Sequence, residues 1–537
     1  MANPSLQIGN DNWAIKEDNL LGYSTAGTRF VPQPITMTRA TLGTRVNPSG
    51  LVEDVELLGS ELVTNGDFDT DSDWTKVNST ISSGKATVTV VGGANSYITQ
   101  TLSYTSGQKY KLTATINGTS GKEIKFQDRG NNSGGLTTTN GTVTLDGSDQ
   151  NIEIYWIANS NSDGIVIARS TTSGDYIFTI DNVSVKEATI DNLPRVDYTD
   201  GTSSLLVEPQ RTNLITYSED FSQWNNNQLT IEPNAIISPD GTLNASKITP
   251  TTTSSVHLIS TSGSTTMAMS IYAKSNGYHR FRFNSGSSGN GYASFDLNAG
   301  TVISSGGTYY TSSSIDSVGN GWYRCTLVLT SGVASVTTLA IEDNSGNVSF
   351  IGDGTSAIYI WAGQAEAGSY PTSYIKTSGS TVTRNQETYT KTGISDKINS
   401  EEGVLFAEIA ALSDNDGTYR SLSISDSSRN NEIEIDYTND EKIRVLVKSG
   451  GGTIFSTSFI IDTTIFNKVA VKYKLNDFAV FINGTEEYTL TSGAIPIGLN
   501  RLAFDRGDGG TPFYAKVKQL QIFKTALSDS ELATLTT

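Results

Sequence analysis

The stretch KYKLTATING, Lys109–Gly118, shows the pattern that decides the fold. Its apolar side chains are Tyr110, Leu112, Ala114 and Ile116, which stand at every second position with polar residues between them. A strand turns successive side chains to opposite faces, so this alternation predicts a strand with one buried and one solvated face. Such half-buried strands are typical of antiparallel sheets.

The same two-residue period recurs along the chain, for example in NIEIYWIA, NKVAVKYKL and DFAVFINGTEEYTL. Turn residues rich in Gly, Asn and Ser interrupt the pattern every ~10 residues, as in antiparallel sandwiches. Helix signals are nearly absent, and the exception is TALSDSELATL, where Ser528 and Glu531 form a capping box. We therefore predict an all-β protein of tandem antiparallel β-sandwiches.

Composition limits the classes of protein to which the chain can belong. At 537 residues it is too long for a single core, so we expect three or four domains. The net charge of −18 repels nucleic-acid phosphates and anionic lipids, and excludes nucleic acid as a partner. No apolar run is long enough to span a membrane, and no signal peptide is recognisable. We expect a soluble protein made in the cytosol, without membrane insertion.

A repeat links ELVTNGDFDTDSDWTK with the later stretch NLITYSEDFSQW. The Asp-Phe pair and the tryptophan recur, as Phe68 and Trp74 in the first copy and Phe221 and Trp224 in the second. Self-similarity of this kind predicts two copies of one β-domain. We interpret these aromatic residues as a hydrophobic clasp at the first strand of each copy.

Two proline-containing segments lack the strand pattern. Residues 1–57 hold Pro32, Pro34 and Pro48 with little periodicity, which favours an extended N-terminal arm lying against another protein. Residues 191–213 contain two prolines and an Asp-Gly turn, and are interpreted as an extended connector.

Three long phrases resemble segments common in tailed-bacteriophage virion proteins. They are TRATLGTRVNPSGLVEDV, LPRVDYTDGTSSLLVEPQRTNLITYSEDFSQW and IWAGQAEAGSYPTSYIKTSGSTVTRNQE. The resemblance covers roughly 38–57 and 193–390. In those relatives the NPSGLVE stretch runs almost directly into PRVDY, so the first β-domain is inserted here.

Two further resemblances concern single domains. The signatures NGDFD…W and IDNVSV resemble a carbohydrate-binding-module jelly roll, and GVLFAEI, NDFAVFINGTEEYT and KQLQIFKTALSDSEL resemble a laminin-G/concanavalin-like sandwich. The predicted domains are 1–57, an N-terminal arm and virion anchor; 58–190, an inserted jelly roll; 191–213, a connector; 214–390, a second jelly roll; and 391–537, a concanavalin-like sandwich.

Together these resemblances imply a structural component of a tailed-phage virion, a fibre or surface appendage assembled in the host bacterial cytoplasm. Such proteins are usually homo-oligomers, often trimers, that dock on other virion proteins and adhere to host surface glycans. We expect no enzymatic activity and no required cofactor. The alternatives are a capsid decoration or cement protein without a receptor role, and a polysaccharide depolymerase.

The resemblance to carbohydrate-binding jelly rolls implies a structural calcium ion between the first and last strands. The matching positions are Asp67 or Asp69 and Asp181, and hard carboxylate oxygens suit calcium. The alternative is a solvated acidic turn.

The stretch NEIEIDYTND places Glu432, Glu434 and Asp436 on one face of a strand, with Ile433 and Ile435 on the other. Concanavalin-like glucanases also carry three alternating acids, in the different order Glu, Asp, Glu. We interpret this strand as amphipathic with its acids in water, and assign no catalytic residue.

Glycan-contacting residues are not assigned by the sequence. Tyr272, Tyr278, Tyr309 and Tyr310 are candidates for aromatic platforms, against the alternative of half-buried edge tyrosines. The two histidines and the one cysteine, Cys325, argue against the common zinc sites, and we expect a buried thiol.

Overall fold

The computed structural model describes residues 2–537 except 11–12, 17–18, 27–28, 93, 129–140, 159–163, 171–173, 264–267, 287–288, 331–334 and 414–416. Strands hold 55% of the residues and helices 2%, and the strand ladders are antiparallel, so the all-β prediction is confirmed. The chain divides into two compact units, one of residues 1–55 with 191–537 and one of residues 56–190.

The N-terminal segment of the larger unit contains six strands. They are β1 (Leu6–Gly9), β2 (Ala14–Lys16), β3 (Asn19–Ala26), β4 (Arg29–Thr38), β5 (Thr44–Val46) and β6 (Val52–Asp54). The last two form a two-stranded sheet of their own.

The smaller unit is a two-sheet sandwich. Its strands are β7 (Leu57–Glu61), β8 (Thr75–Val77), β9 (Ser79–Ser82), β10 (Lys85–Val90), β11 (Tyr97–Gln100), β12 (Lys109–Gly118), β13 (Glu123–Asp128), β14 (Thr142–Thr144), β15 (Gln150–Ile157), β16 (Ile165–Arg169) and β17 (Tyr176–Thr189). One sheet has the order β15-β12-β17-β10-β9, with β7 paired to β17, and the other has the order β14-β13-β16-β11-β8. The alternating residues of β12 are buried in the core, as their period predicts. The sequence placed an inserted domain at 58–190, and this unit spans 56–190.

A second sandwich follows in the larger unit. Its strands and the connecting ones are β18 (Arg195–Asp197), β19 (Ser204–Val207), β20 (Arg211–Asn213), β21 (Asn225–Asn227), β22 (Leu229–Ile237), β23 (Leu243–Pro250), β24 (Ser254–Gly263), β25 (Ala268–Asn276), β26 (Arg280–Ser285), β27 (Tyr292–Asp296), β28 (Thr301–Gly306), β29 (Tyr310–Ser317), β30 (Tyr323–Leu329), β31 (Ser335–Glu342), β32 (Ser349–Ile351), β33 (Ala357–Glu366), β34 (Val382–Arg384) and β35 (Thr388–Lys391). The two sheets have the orders β21-β24-β31-β26-β27-β28, with β32 on β24, and β22-β23-β33-β25-β30-β29. A short 3-10 helix lies at Phe221–Gln223.

The C-terminal sandwich completes the larger unit. It contains β36 (Glu402–Ala411), β37 (Arg420–Ser425), β38 (Glu432–Tyr437), β39 (Lys442–Ser449), β40 (Gly452–Ile460), β41 (Asn467–Lys474), β42 (Phe478–Ile482), β43 (Thr485–Leu490), β44 (Arg501–Ala503), β45 (Ala515–Phe523) and the helix α1 (Asp529–Thr536). Glu531 accepts hydrogen bonds from the backbone and side chain of Ser528, as the capping box predicts. Leu527 and Leu532 pack this helical end onto the sheet.

The N-terminal segment is part of the C-terminal sandwich in the structure, which differs from the predicted separate arm. Strand β1 pairs with β45, β3 joins β1 to β4, and β4 pairs with β35. Leu6, Ile8, Ile35 and Met37 are buried in the same core as the strands of the C-terminal sandwich.

The prolines favoured an extended arm at residues 1–57, but two of them lie within a strand. Pro32 and Pro34 lie in β4 opposite β3, whereas β35 pairs only with Thr36–Thr38. Among the described residues, β3 is the one strand paired with β4 at the two prolines, and a missing N–H is tolerated where a strand is paired on one side only.

The repeated aromatic clasp has the same geometry in both copies. The ring centroids of Phe68 and Trp74 lie 5.2 Å apart, and those of Phe221 and Trp224 lie 5.1 Å apart. Each indole Nε1 donates to a backbone carbonyl at 2.9 Å, nine residues earlier in the first copy and seven in the second. All four aromatic side chains are buried, so their interpretation as fold residues is confirmed.

A buried ion cluster ties together the three segments that resemble phage virion proteins. It consists of Arg39, Arg195, Glu208, Arg384 and Glu387. Glu387 accepts from Arg39 Nη1 at 2.5 Å and from Arg195 Nε and Nη2 at 2.8 and 2.6 Å. Glu208 lies 2.8 Å from Arg195 Nη1 and 3.0 Å from Arg384 Nη1. Although burial alone would raise it, the charge of Arg195 holds the pKa of Glu387 below its usual range.

Candidate functional site

The acidic face of β38 is buried, so the prediction that its acids lie in water is wrong. Glu432, Glu434 and Asp436 are 0%, 1% and 0% exposed. Ile433 and Ile435 point into the core on the opposite face, as the alternation predicts. The acids are buried because another segment of the chain covers their face of the sheet.

That covering segment is the turn at 505–511. Gly507 N donates to Glu432 Oε2 at 3.2 Å, and Ser423 Oγ donates to the carbonyl oxygen of Asp505 at 2.7 Å. A Cβ at Gly507 would lie 2.3 Å from the Ser428 carbonyl oxygen and 2.6 Å from Glu432 Oε2, so glycine is needed for this close approach. The turn therefore closes over the acids only because position 507 has no side chain.

Within this turn, Arg506 and Asp508 pair with each other. Arg506 Nε and Nη2 donate to the two carboxylate oxygens of Asp508 at 2.8 and 2.9 Å. The tripeptide Arg506-Gly507-Asp508 is thus a polar turn whose two charged side chains form an ion pair with each other.

Arginines hold the outer side of the acidic row. Arg444 Nε donates to both oxygens of Asp436 at 3.1 and 3.0 Å, and its Nη2 lies 3.8 Å from Glu434 Oε1. Arg429 Nε donates to Glu432 Oε1 at 3.2 Å. Two-point contact between a guanidinium and a carboxylate fixes both groups in orientation. The acids therefore position the arginines at the surface.

Burial also changes the ionisation of the acids. Burial, partly offset by the hydrogen bonds from Arg444, raises the pKa of Asp436 to about 8, and the charge of neighbouring Glu434 adds to the rise. Burial likewise raises the pKa of Glu432. The pKa of Asp436 is thus raised by burial even though Arg444 donates to its carboxyl group.

A pocket of about 160 Å³ opens in front of this row. Tyr419, at its rim, is 40% exposed, and the guanidinium of Arg444 lies 4.9 Å from its ring centroid. The pocket offers a ligand an aromatic ring, three guanidinium groups and the carboxylate of Glu434. The lining residues are Tyr419, Ser421, Arg429, Glu434, Arg444, Arg506 and Thr511.

A larger hollow of about 710 Å³ lies elsewhere on the C-terminal sandwich. No aromatic or arginine side chain lines it within the described residues, so it offers a sugar ring no stacking surface. Its lining is Gly393, Ser395, Ile398, Asn399, Ser400, Gly498, Leu499, Asn500 and Lys524.

The four tyrosines singled out in the sequence are not equivalent. Tyr272 and Tyr278 are buried and therefore excluded as platforms. Tyr310 is half-buried and packs against the core, whereas Tyr309 is 37% exposed. Sequence reasoning missed Tyr419, because only the folded chain places it beside arginines from three other segments.

The predicted calcium ligands Asp67, Asp69 and Asp181 lie on two neighbouring segments of the smaller unit. Val183 N donates to the carbonyl oxygen of Gly66 at 2.8 Å, so the loop of Asp67 and Asp69 runs beside the strand of Asp181. No group of three acidic, histidine or cysteine side chains arranged to hold a metal occurs among the described residues. The side chains alone do not supply the six to eight oxygens of a calcium site, and the ion stays a prediction.

The histidines and the cysteine have structural surroundings. His257 is buried, with Nδ1 at 2.7 Å from the Gln228 carbonyl oxygen and Nε2 at 3.1 Å from that of Phe350. Cys325 is buried and free, as predicted. No helix in the described part of the chain has the length and apolar character required to cross a membrane.

Comparisons with known proteins bear on the segment that holds the pocket. Residues 410–533 match the model of the Concanavalin A-like lectin/glucanases superfamily, and every pocket-lining residue lies within them. Comparison with curated protein sequences gives no match.

Solved structures show weak likeness. The CBM40 of the Ruminococcus gnavus IT-sialidase bound to alpha2,3 sialyllactose is 20% identical, with 26% of this chain and 84% of that one covered and a TM-score of 0.23. The leech intramolecular trans-sialidase is 20% identical, with 26% and 23% covered and a TM-score of 0.22. The binding domain of botulinum neurotoxin DC in complex with rat synaptotagmin II is 14% identical, with 28% and 40% covered and a TM-score of 0.23. The family match, and not these likenesses, shows that the all-β chain contains a concanavalin-like domain.

Proposed function

We propose that the protein is a non-enzymatic structural component of a tailed-phage virion that binds carbohydrate on the host surface. The observation that carries the binding role is the pocket of Tyr419 and three arginines in the concanavalin-like domain. An exposed ring gives a sugar an apolar face to rest on, and guanidinium donors bind its hydroxyl or carboxylate oxygens.

The guanidinium groups of the pocket favour an acidic saccharide. Arg429, Arg444 and Arg506 converge there, and guanidinium donors can bind a carboxylate at two points. Binding through exposed guanidinium groups weakens as salt screens them, whereas contact with the ring does not. Several copies displayed on one particle would turn a weak sugar contact into stable attachment.

The binding role is tested on an array of neutral and acidic bacterial polysaccharides. Tyr419→Ala should lower affinity by about tenfold or more, equivalent to ~1.4 kcal/mol, and Tyr419→Phe should retain most of it. The matched control is Tyr309→Ala, which removes a ring of nearly equal exposure, 37% against 40%, in another domain. Equal losses for Tyr419→Ala and Tyr309→Ala would refute the pocket as the binding site.

The virion role is supported by the phrases that resemble phage virion proteins. An antibody against residues 400–537 should label purified particles in electron micrographs at a tail fibre or surface appendage. Label buried between capsid subunits would favour the alternative, a decoration or cement protein without a receptor role. Particles that carry no label would overturn the virion proposal.

A depolymerase is the competing function, and the acidic row of β38 is the observation that favours it. Glycosidases place two carboxylates across a scissile bond, one of them with a raised pKa. Here the acids are at most 1% exposed, are held by Arg429 and Arg444, and are covered by the turn at 505–511. Incubation with host polysaccharide should release no reducing ends. Release that is lost in Glu434→Gln would establish the enzyme instead.

A further inference from the structure

Strand β40 is an open edge of the C-terminal sandwich. It pairs with β39 alone, and in the described part of the chain none of its outward backbone groups has a hydrogen-bonding partner. Its nine residues, GTIFSTSFI, include no charge and no proline. An edge of this kind presents unpaired N–H and C=O groups to any strand that can align with it.

A second edge strand of the same sandwich is protected by charge. Within the described residues β43 pairs with β42 alone, and it carries Glu486 and Glu487, both exposed. Charged side chains on an edge discourage the addition of another strand. The difference between the two edges points to β40 as the edge that is paired in the assembled protein.

Seven of the nine residues of β40 form a palindrome. Residues 454–460 read IFSTSFI, with Thr457 at the centre. An antiparallel pair of identical strands centred on Thr457 places Phe455 opposite Phe459 and Ser456 opposite Ser458. Each of these residues then lies opposite a residue of the same type. Cross-strand pairs of like apolar or hydroxyl side chains stabilise antiparallel ladders.

The side chains of β40 differ in their exposure to solvent. Ser456, Ser458 and Ile460 point to solvent, and Ile460 is 89% exposed. Ile454 lies where a bulge shifts the register against β39 and packs against the core of its own sandwich, so the symmetric ladder spans 455–459.

We propose that two copies of the chain associate through β40, with a two-fold axis at Thr457 that joins their sheets into one. A contact of this kind is isologous, because the same strand serves both subunits. A three-fold axis cannot place β40 against itself, so a trimer would use a different surface. The proposal does not depend on carbohydrate binding.

The register can be tested by paired charges on the full-length chain. In the proposed ladder, S456K/S458K puts lysine opposite lysine twice, whereas S456K/S458E puts lysine opposite glutamate twice. Analytical ultracentrifugation should find a dimer for the wild type and for S456K/S458E, and a dissociation constant raised about tenfold or more for S456K/S458K. A wild type that stays monomeric, or two double variants with equal affinity, would overturn the proposal.

A cross-link gives a second measurement that does not rely on charged residues. Thr457→Cys places two thiols opposite each other at the axis, within the ~4–7 Å between Cα atoms that a disulfide spans. The only native cysteine, Cys325, is buried and gives no background. Mild oxidation should link Thr457→Cys subunits in pairs, and should not link the control Thr485→Cys on β43. Equal cross-linking at both positions would contradict the two-fold contact.

Discussion

Replacing Glu387 with glutamine should destabilise the larger unit more than any change of one exposed charge. Glu387 is fully buried and accepts from Arg39 and Arg195. Its loss leaves the Arg39 guanidinium without an anionic partner among the described residues, because the remaining carboxylate, Glu208, bonds Arg195 and Arg384.

The magnitude follows from the charges of the buried ion cluster. Three arginines and two glutamates give a net charge of +1, and Glu387→Gln raises it to +2 without changing the packed volume. Removing one partner of a buried ion pair costs about 3–5 kcal/mol. The glutamine carbonyl still accepts one hydrogen bond, which favours the lower end. Adding Arg39→Gln returns the charge to +1 and should recover part of the loss.

The assay is urea denaturation of the full chain, followed by tryptophan fluorescence, with the transition of the larger unit fitted separately. The control is Glu232→Gln, because Glu232 is 63% exposed and lies 3.5 Å from Lys247. An exposed pair of this type contributes about 0–1 kcal/mol. Acid should reduce the difference in unfolding free energy between the wild type and Glu387→Gln. A carboxyl group whose folded pKa is lowered stabilises the fold above its usual pKa of 4.5, and loses that effect as pH falls through the folded pKa.

Equal free-energy changes for Glu387→Gln and Glu232→Gln would refute the reasoning. That result would mean that water reaches the buried ion cluster and screens its charges. A double variant no more stable than Glu387→Gln alone would show that net charge does not set the cost.

Four further predictions follow from the structure. Trp74→Phe and Trp224→Phe should each cost ~1 kcal/mol, in the smaller and larger unit respectively, because each removes one indole hydrogen bond at 2.9 Å. Deleting residues 1–50 should unfold the C-terminal sandwich, because it removes β1, β4 and four core side chains, and circular dichroism would detect this. The folded pKa of Asp436, about 8, lies above its usual value of 3.8. Its contribution to stability is therefore full below pH 3.8 and is lost as pH rises through about 8. Asp436→Asn should flatten the stability profile between these pH values. Calcium should raise the melting temperature of the smaller unit, and Asp181→Asn should abolish that rise.

Each of these has an outcome that would count against it. Unequal costs for the two tryptophan changes would show that the repeated clasp differs between the copies. A folded C-terminal sandwich after deletion of 1–50 would favour a separate arm. A stability profile of Asp436→Asn that still falls near pH 8 would assign the titration to another group, and a melting temperature insensitive to calcium would favour the solvated acidic turn.

The alternation of side chains predicts the fold well, because it is a local property. Tyr110, Leu112, Ala114 and Ile116 are buried as their spacing predicts, and Phe68 with its repeat partner Phe221 is buried in the same way. Such patterns need only the two faces of a sheet and no knowledge of which strand lies beside which.

The environment of the acids was not predictable from their own strand. The pattern around Glu432 correctly places the acids opposite the isoleucines, but the turn that covers them comes about seventy residues later in the chain. The same limit applies to Tyr419, whose neighbours Arg444 and Arg506 are distant in sequence. Strand β1 was missed because it has four residues, too few to show a period, and pairs with β45 at the other end of the chain.

The two ends of the smaller unit lie side by side. Leu57 of β7 is paired with Thr189 of β17, an opposition that separates Cα atoms by ~5 Å. In the larger unit, Val55 N donates to the carbonyl oxygen of Gly43, and Asn192 N donates to that of Arg39. The segment at 39–43 is thus hydrogen-bonded to the chain on both sides of residues 56–190. We therefore expect that residues 56–190 can be removed and the flanks rejoined by a tight turn without loss of these two hydrogen bonds.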